Sequence, residues 1–240
     1  MSNTKVQNPV LLGWVDEKRL NNQVLSRNPN AVYLFRELCG KNKHNKICKW
    51  NISLNPNAIS LLESNPDLIN WWMLSANPSA INMLKANPIR IHWGYMSRNP
   101  NAIPLLESNP KKIEWSILSL NPNAMHLLEA NQDKIDWHQL SLNPNAIPLL
   151  EANQDKIDWD RLSANPNAIP LLKDNPDKIN WKWMSANPKA IRLLTANQSK
   201  IDWSYLSRNP NAIPLLKANL DKIDWCALSE NPSIFTNKKT

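Results

Sequence analysis

Glycine is nearly missing from this chain, with 3 residues in 240 against 19 prolines. Turns must therefore rest on the fixed φ of proline rather than on flexible positions, and no glycine-rich loop is present to cradle a phosphate. Cysteine is scarce too: Cys39, Cys48 and Cys226 do not make a disulfide framework, so a reducing compartment is expected. No run of 18 apolar residues occurs, which excludes a membrane-spanning helix. Met1 to Val10 lacks the charged-then-apolar order of a secretory signal, so a cytoplasmic, non-secreted protein is expected. The four histidines (His44, His92, His126, His138) are scattered and recur with no serine, which argues against a hydrolase.

The net charge of +8 suggests nucleic acid until its location is considered. Residues 1–50 hold nine Lys/Arg and three Asp/Glu, while residues 51–240 hold nineteen and seventeen. The body is close to neutral, and the uniform basic stripe that tracks a phosphate backbone is absent.

Internal repetition dominates what is present. Asn-Pro recurs every 22 residues from Asn55-Pro56 to Asn231-Pro232, and Trp recurs in the same period from Trp71 to Trp225. A weaker copy lies upstream at Asn28-Pro29, 27 residues before the next, with the extra five residues between Cys39 and Lys46. Its Trp position holds Asn22, and the following copy holds Lys49 there. A degenerate first unit reads as a cap whose outer face meets water.

Each period fits two short helices. The first runs from the Asp-Lys-Ile-Asp-Trp segment to Ser163, with Ile157, Trp159 and Leu162 as its apolar positions. The second starts near Ala168 with Asn167 as N-cap, carries Pro170 early, where a missing N–H does no harm, and ends at Asn175. Helices of two turns are too short to stand alone in water, so neighbours must stack to bury their apolar faces. The expected fold is all-α: a right-handed α-solenoid of short helix pairs, elongated as a rod or crescent. Residues 1–48 would form a capping region with the basic insertion, 49–235 the tandem repeats and 236–240 a basic tail.

The unit Ile-Asp-Trp-x-x-Leu-Ser-x-Asn-Pro-x-Ala-Ile-x-Leu-Leu resembles tandem repeats in proteins of giant DNA viruses, over residues 18–235. Its layout is also similar to leucine-rich variant repeats, which implies that the first segment is partly 3₁₀. Neither resemblance implies a catalytic residue or a cofactor. The viral resemblance implies a host-cell or virion setting.

Repeated columns read as structural. The Trp column packs at the core edge, with stacking or edge-to-face contacts between units. The Asn and Ser columns bond turn backbones. The column from Lys112 to Lys222, flanked by Asp, reads as a solvated stripe with weak inter-repeat ion pairs. Function is expected where copies differ, in the two positions after each Trp. Trp72, Tyr95, His138, Arg161, Trp183 and Tyr205 there are candidate partner-binding residues, of types common at interface hot spots. The insertion gathers Lys41, Lys43, Lys46 and Lys49 as a basic loop. Cys39, His44 and Cys48 are weak metal candidates, one ligand short of a structural zinc site. The expected function is a non-enzymatic scaffold for a protein partner, with self-association possible in principle. The alternative is nucleic-acid binding through the basic loop and the aromatic columns.

Overall fold

A computed structural model describes residues 8–41 and 43–236. It is all-α and repetitive, built from short helices in tandem. The unit around Trp159 shows the plan: a 3₁₀ turn Gln154–Lys156, a first helix Trp159–Ala164, an Asn-Pro turn, and a second helix Ile169–Asp174. The Asp-Lys segment is thus a separate 3₁₀ element, because Ile157 is extended (φ −69°, ψ 128°) and interrupts it. That break frees Asp158 to cap the first helix, its carboxylate accepting the Arg161 N–H at 3.0 Å.

The capping expectation at the Asn-Pro turn is corrected by two positions. The Asn165 carboxamide oxygen accepts the Asn167 N–H at 2.9 Å, while Asn167 donates its own Nδ2 to the Pro144 carbonyl of the preceding unit at 2.7 Å. Pro170 lies in the first turn of the second helix, as its missing N–H requires. Asn175 closes that helix, donating Nδ2 to the Leu171 carbonyl at 2.9 Å.

The first asparagine of the turn joins one unit to the next. Asn165 is fully buried and donates Nδ2 to the carbonyls of Ser141 and Asn143, one unit back, at 3.1 and 2.8 Å. With its oxygen bound to Asn167, the carboxamide has both N–H groups and its carbonyl oxygen satisfied. Ser163 does similar work: Oγ donates to the Trp159 carbonyl and accepts the backbone N–H of Asn180, 17 residues on. Between these polar contacts Leu162, Ala168 and Leu172 are fully buried. Each buried leucine contributes about 1.5–3 kcal/mol against an exposed one.

Ten asparagines occupy the buried turn position: Asn28, Asn55, Asn77, Asn99, Asn121, Asn143, Asn165, Asn187, Asn209 and Asn231. The first does not face water. Asn28 donates Nδ2 to the carbonyls of Ser229 at 3.1 Å and Asn231 at 2.9 Å, the same pair of bonds that every later unit makes to its predecessor. Asn30 donates to Pro232 and Asn21 N–H to Ser229 Oγ in the same register. The solenoid therefore closes into a ring of ten units. The all-α solenoid holds, while the expected rod or crescent and the water-facing cap are corrected: a constant rotation per unit, with no net rise, brings unit ten back onto unit one.

A two-stranded clasp completes the seam. Strand β1 (Val10–Leu11) pairs antiparallel with β2 (Phe235–Thr236), Val10 opposite Thr236 and Leu11 opposite Phe235. Leu12 N–H donates to the Ile234 carbonyl at 2.9 Å, and Phe235 meets Tyr33 edge to face at 6.3 Å. This clasp stands where the tenth unit's second helix would be. In unit one, helix α1 (Asn22–Leu25) is followed by α2 (Val32–Gly40), nine residues long against six for Ile59–Ser64. The insertion lengthens that second helix and its connection to the next unit, whose regular 3₁₀ turn is His44–Lys46. Of the expected basic tail only Thr236 lies within the described residues.

Candidate binding faces of the ring

Consecutive first helices pack directly on one another, whereas consecutive second helices meet more loosely. In a closed circle the elements in closer mutual contact lie at smaller radius, so the first helices form the inner wall. One pocket bears this out, since Arg27, Leu54, Ala76 and Arg98 from four consecutive units converge on it. On a convex surface such residues would diverge.

Two columns line this inner wall, two and five residues after the Trp position. The first holds Met73, Tyr95, Ile117, Gln139, Arg161, Trp183 and Tyr205; the second holds Arg27, Leu54, Ala76, Arg98, Leu120 and Arg208. Neighbours within the first column touch across units. Arg161 donates to Gln139 Oε1 at 2.9 Å, and Trp183 meets Tyr205 with ring centres 5.8 Å apart. Lys182 Nζ lies 5.2 Å from the Tyr205 ring centre. Charge on this wall is uneven. Glu230 is shared by Arg208 at 3.7 Å and Arg27 at 4.0 Å across the seam, distances too long for strong hydrogen bonds. Burial and then the charge of Arg27 lower the Arg98 pKa, although the residue is exposed to water.

The position immediately after Trp lies at the rim where the first helices begin. Trp72 meets His92 of the next unit at 5.1 Å, and His92 meets Tyr95 at 4.9 Å, so rim and inner wall are continuous there. His138 pairs with Asp158 of the next unit. Trp72 is 55% exposed, Trp50 beside it 49% and Ile89 92%, and all three line one open groove of about 540 Å³. Of the six partner candidates, Tyr95, Arg161, Trp183 and Tyr205 thus share the inner wall, while Trp72 and His138 stand at its rim. Sequence reasoning passed over Trp50 and Ile89. The signal was available, since Ile89 sits where several other units place Asp. It also passed over the arginines five positions after Trp, because that column reads Ala or Leu in six of its ten units.

The remaining columns are occupied by the wall itself. The Trp rings are half-buried, and from Trp115 to Trp203 each is covered by the lysine of the next unit: Lys156 Nζ over Trp137 at 4.5 Å, Lys178 over Trp159 at 4.2 Å, Lys200 over Trp181 at 4.6 Å. This replaces the expected ring-on-ring contacts and Lys–Asp pairs. The lysine reaches back over the neighbouring indole, where cation and ring face attract by about 0.5–1 kcal/mol at an exposed site. Arg19 takes the lysine's place over Trp225 at 4.2 Å, which extends the pattern across the seam. Trp225 is more buried than its equivalents, and its Nε1 has no acceptor among the described residues.

Cys39, His44 and Cys48 are not gathered into a metal-holding group among the described residues, and His44 Nδ1 instead pairs with Asp67 at 3.0 Å. Burial, then the charge of Asp67, raises the Cys39 pKa. Lys41, Lys43, Lys46 and Lys49 are exposed on and after the lengthened helix. No helix of the described residues is long and apolar enough to cross a membrane. No protein-family model, curated protein or solved structure matches this chain.

Proposed function

We propose that the chain is a non-enzymatic ring scaffold that holds a segment of a protein partner against its inner wall, in the viral setting that the repeat resemblance implies. One observation carries this reading. The positions that repeat are consumed by the wall, in Asn, Ser and Lys–Trp contacts between units, while the positions that vary converge on one concave face. That face carries Tyr95, Trp183, Tyr205 and Arg161, side chains that anchor interfaces with large contact area and little entropy loss. The repeated serines fit the same picture: the Ser141 hydroxyl already donates to the Trp137 carbonyl and accepts the Asp158 N–H.

The test is capture from the native host cell with wild-type ring and with the Trp183→Ala/Tyr205→Ala double variant. The reading expects partners retained by the first and lost from the second at unchanged melting temperature. An identical set of captured proteins would defeat it. Nucleic-acid binding is the second reading, favoured by the four exposed loop lysines and the inner arginines. Labelled DNA and RNA titrated at two salt concentrations decide it: affinity that collapses steeply with salt supports it, and no binding near physiological salt removes it.

A further inference from the structure

Two inner-wall pockets meet at Tyr95 and Arg98. The smaller, about 240 Å³, holds Arg27, Leu54 and Met73; the larger, about 370 Å³, extends along Ile117 and Leu120. Together they are of the size that takes a small organic molecule. Their chemistry is unbalanced. Two guanidinium groups from units three apart enter one small space between aliphatic walls. Arg27 reaches a carboxylate only at 4.0 Å, on a Glu230 that it shares with Arg208. The Arg98 side chain has no hydrogen bond or ion pair among the described residues. Glu114 lines the far pocket without pairing to it.

Both side chains are exposed to water, so what remains uncompensated is the repulsion between two cations that face one space. The direction of the Arg98 pKa, lowered by burial and then by Arg27, agrees with that geometry. Such a pair is relieved by an anion that accepts from both forks at once.

We propose that Arg27 and Arg98 hold a carboxylate or phosphate group whose apolar body lies along Met73, Tyr95, Ile117 and Leu120. The oxyanion could be supplied by a small organic acid or phosphate, or by an acidic side chain of a bound polypeptide, and the chemistry at the arginines is the same.

Calorimetric titration of the full chain with phenyl phosphate, inorganic phosphate and an acetylated Leu-Glu-Leu-Glu peptide tests this. Phenyl phosphate should bind at least about tenfold more tightly than inorganic phosphate, because only it fills the apolar arm. Arg98→Gln and Arg27→Gln should each weaken it by about tenfold or more, as expected for a charge-assisted bidentate contact. Arg161→Gln, on the same wall but bound to Gln139, should leave it unchanged. Absence of phenyl phosphate binding at millimolar concentration, or equal affinity in Arg98→Gln, overturns the site. The peptide arm separates sources: phenyl phosphate bound and peptide refused assigns the site to a small anion, and both bound with the same Arg98 dependence assigns it to an acidic segment. Either result supports the site independently of the captured-partner experiment above.

Discussion

The side-chain amide of Asn28 donates to the main-chain carbonyl of Asn231 at 2.9 Å, across 203 residues of sequence. The same bond joins Asn143 to Asn121 at 3.0 Å across 22 residues. The seam of the ring is thus held by the contact that holds every other junction. An open stack would give Asn28 no predecessor.

That difference is measurable by mutation. Asn121→Ala removes three hydrogen bonds and leaves buried carbonyls without donors, a loss of about 2–4 kcal/mol. The ring requires that Asn28→Ala lose a similar amount in denaturant unfolding. A near-neutral Asn28→Ala beside a strongly destabilised Asn121→Ala would mean that the seam is open in solution.

Shape offers a second check. A compact 240-residue chain has a radius of gyration of about 18 Å, and the ring should lie close to that value in small-angle scattering. Ten helix layers about 9 Å apart in an open rod would instead give roughly 26 Å.

Because Val10–Leu11 and Phe235–Thr236 meet in a clasp, the chain can be joined across it. A circular permutant that links Thr240 to Met1 through a short flexible linker and opens the chain at Asn42 should fold with native helix content. Its new termini lie in the insertion, where the four lysines are exposed and no inter-unit asparagine is cut. Failure of the permutant to fold, beside a stable parent, would contradict equivalence of the ten junctions.

Acid stability should depend in part on Asp224. Burial raises its pKa, but the Ser204 hydroxyl, the Ala227 and Cys226 N–H groups and Arg208 outweigh that and leave it lowered. A carboxyl lowered in the folded state contributes stability above its unfolded value, about 3.9, and loses it as pH falls through the folded value. In denaturant titrations Asp224→Asn should therefore be less stable than wild type at pH 7, with the gap narrowing below about pH 4. A gap that stays constant down to pH 2 would assign the role of Asp224 to packing alone.

Much of the unit was legible in the chain. Asn175 ending the second helix, Pro170 in its first turn and the paired short helices all follow from local rules of capping and proline geometry. Assigning the cap to Asn167 instead of Asn165 was a local error, since both are asparagines that flank the same proline. The Lys–Trp contacts were not legible. Lys178 and Trp159 belong to different units, and only the spacing of the stack decides whether the amine meets the neighbouring ring or a nearby carboxylate. The inner arginines escaped for a related reason, because a column interrupted by Ala and Leu shows its meaning only when units three apart face one another.

The sequence by itself determined the period, the helical character and the need to stack, because two-turn helices with apolar faces have no stable existence alone. It did not determine whether the stack ends in two caps or none. Tertiary structure decided that, since closure depends on a small rotation at each junction, set by the tighter packing of first helices over second ones. No single unit displays that rotation. Summed over ten junctions, it carries Asn28 to the one place where its buried amide finds both of its acceptors.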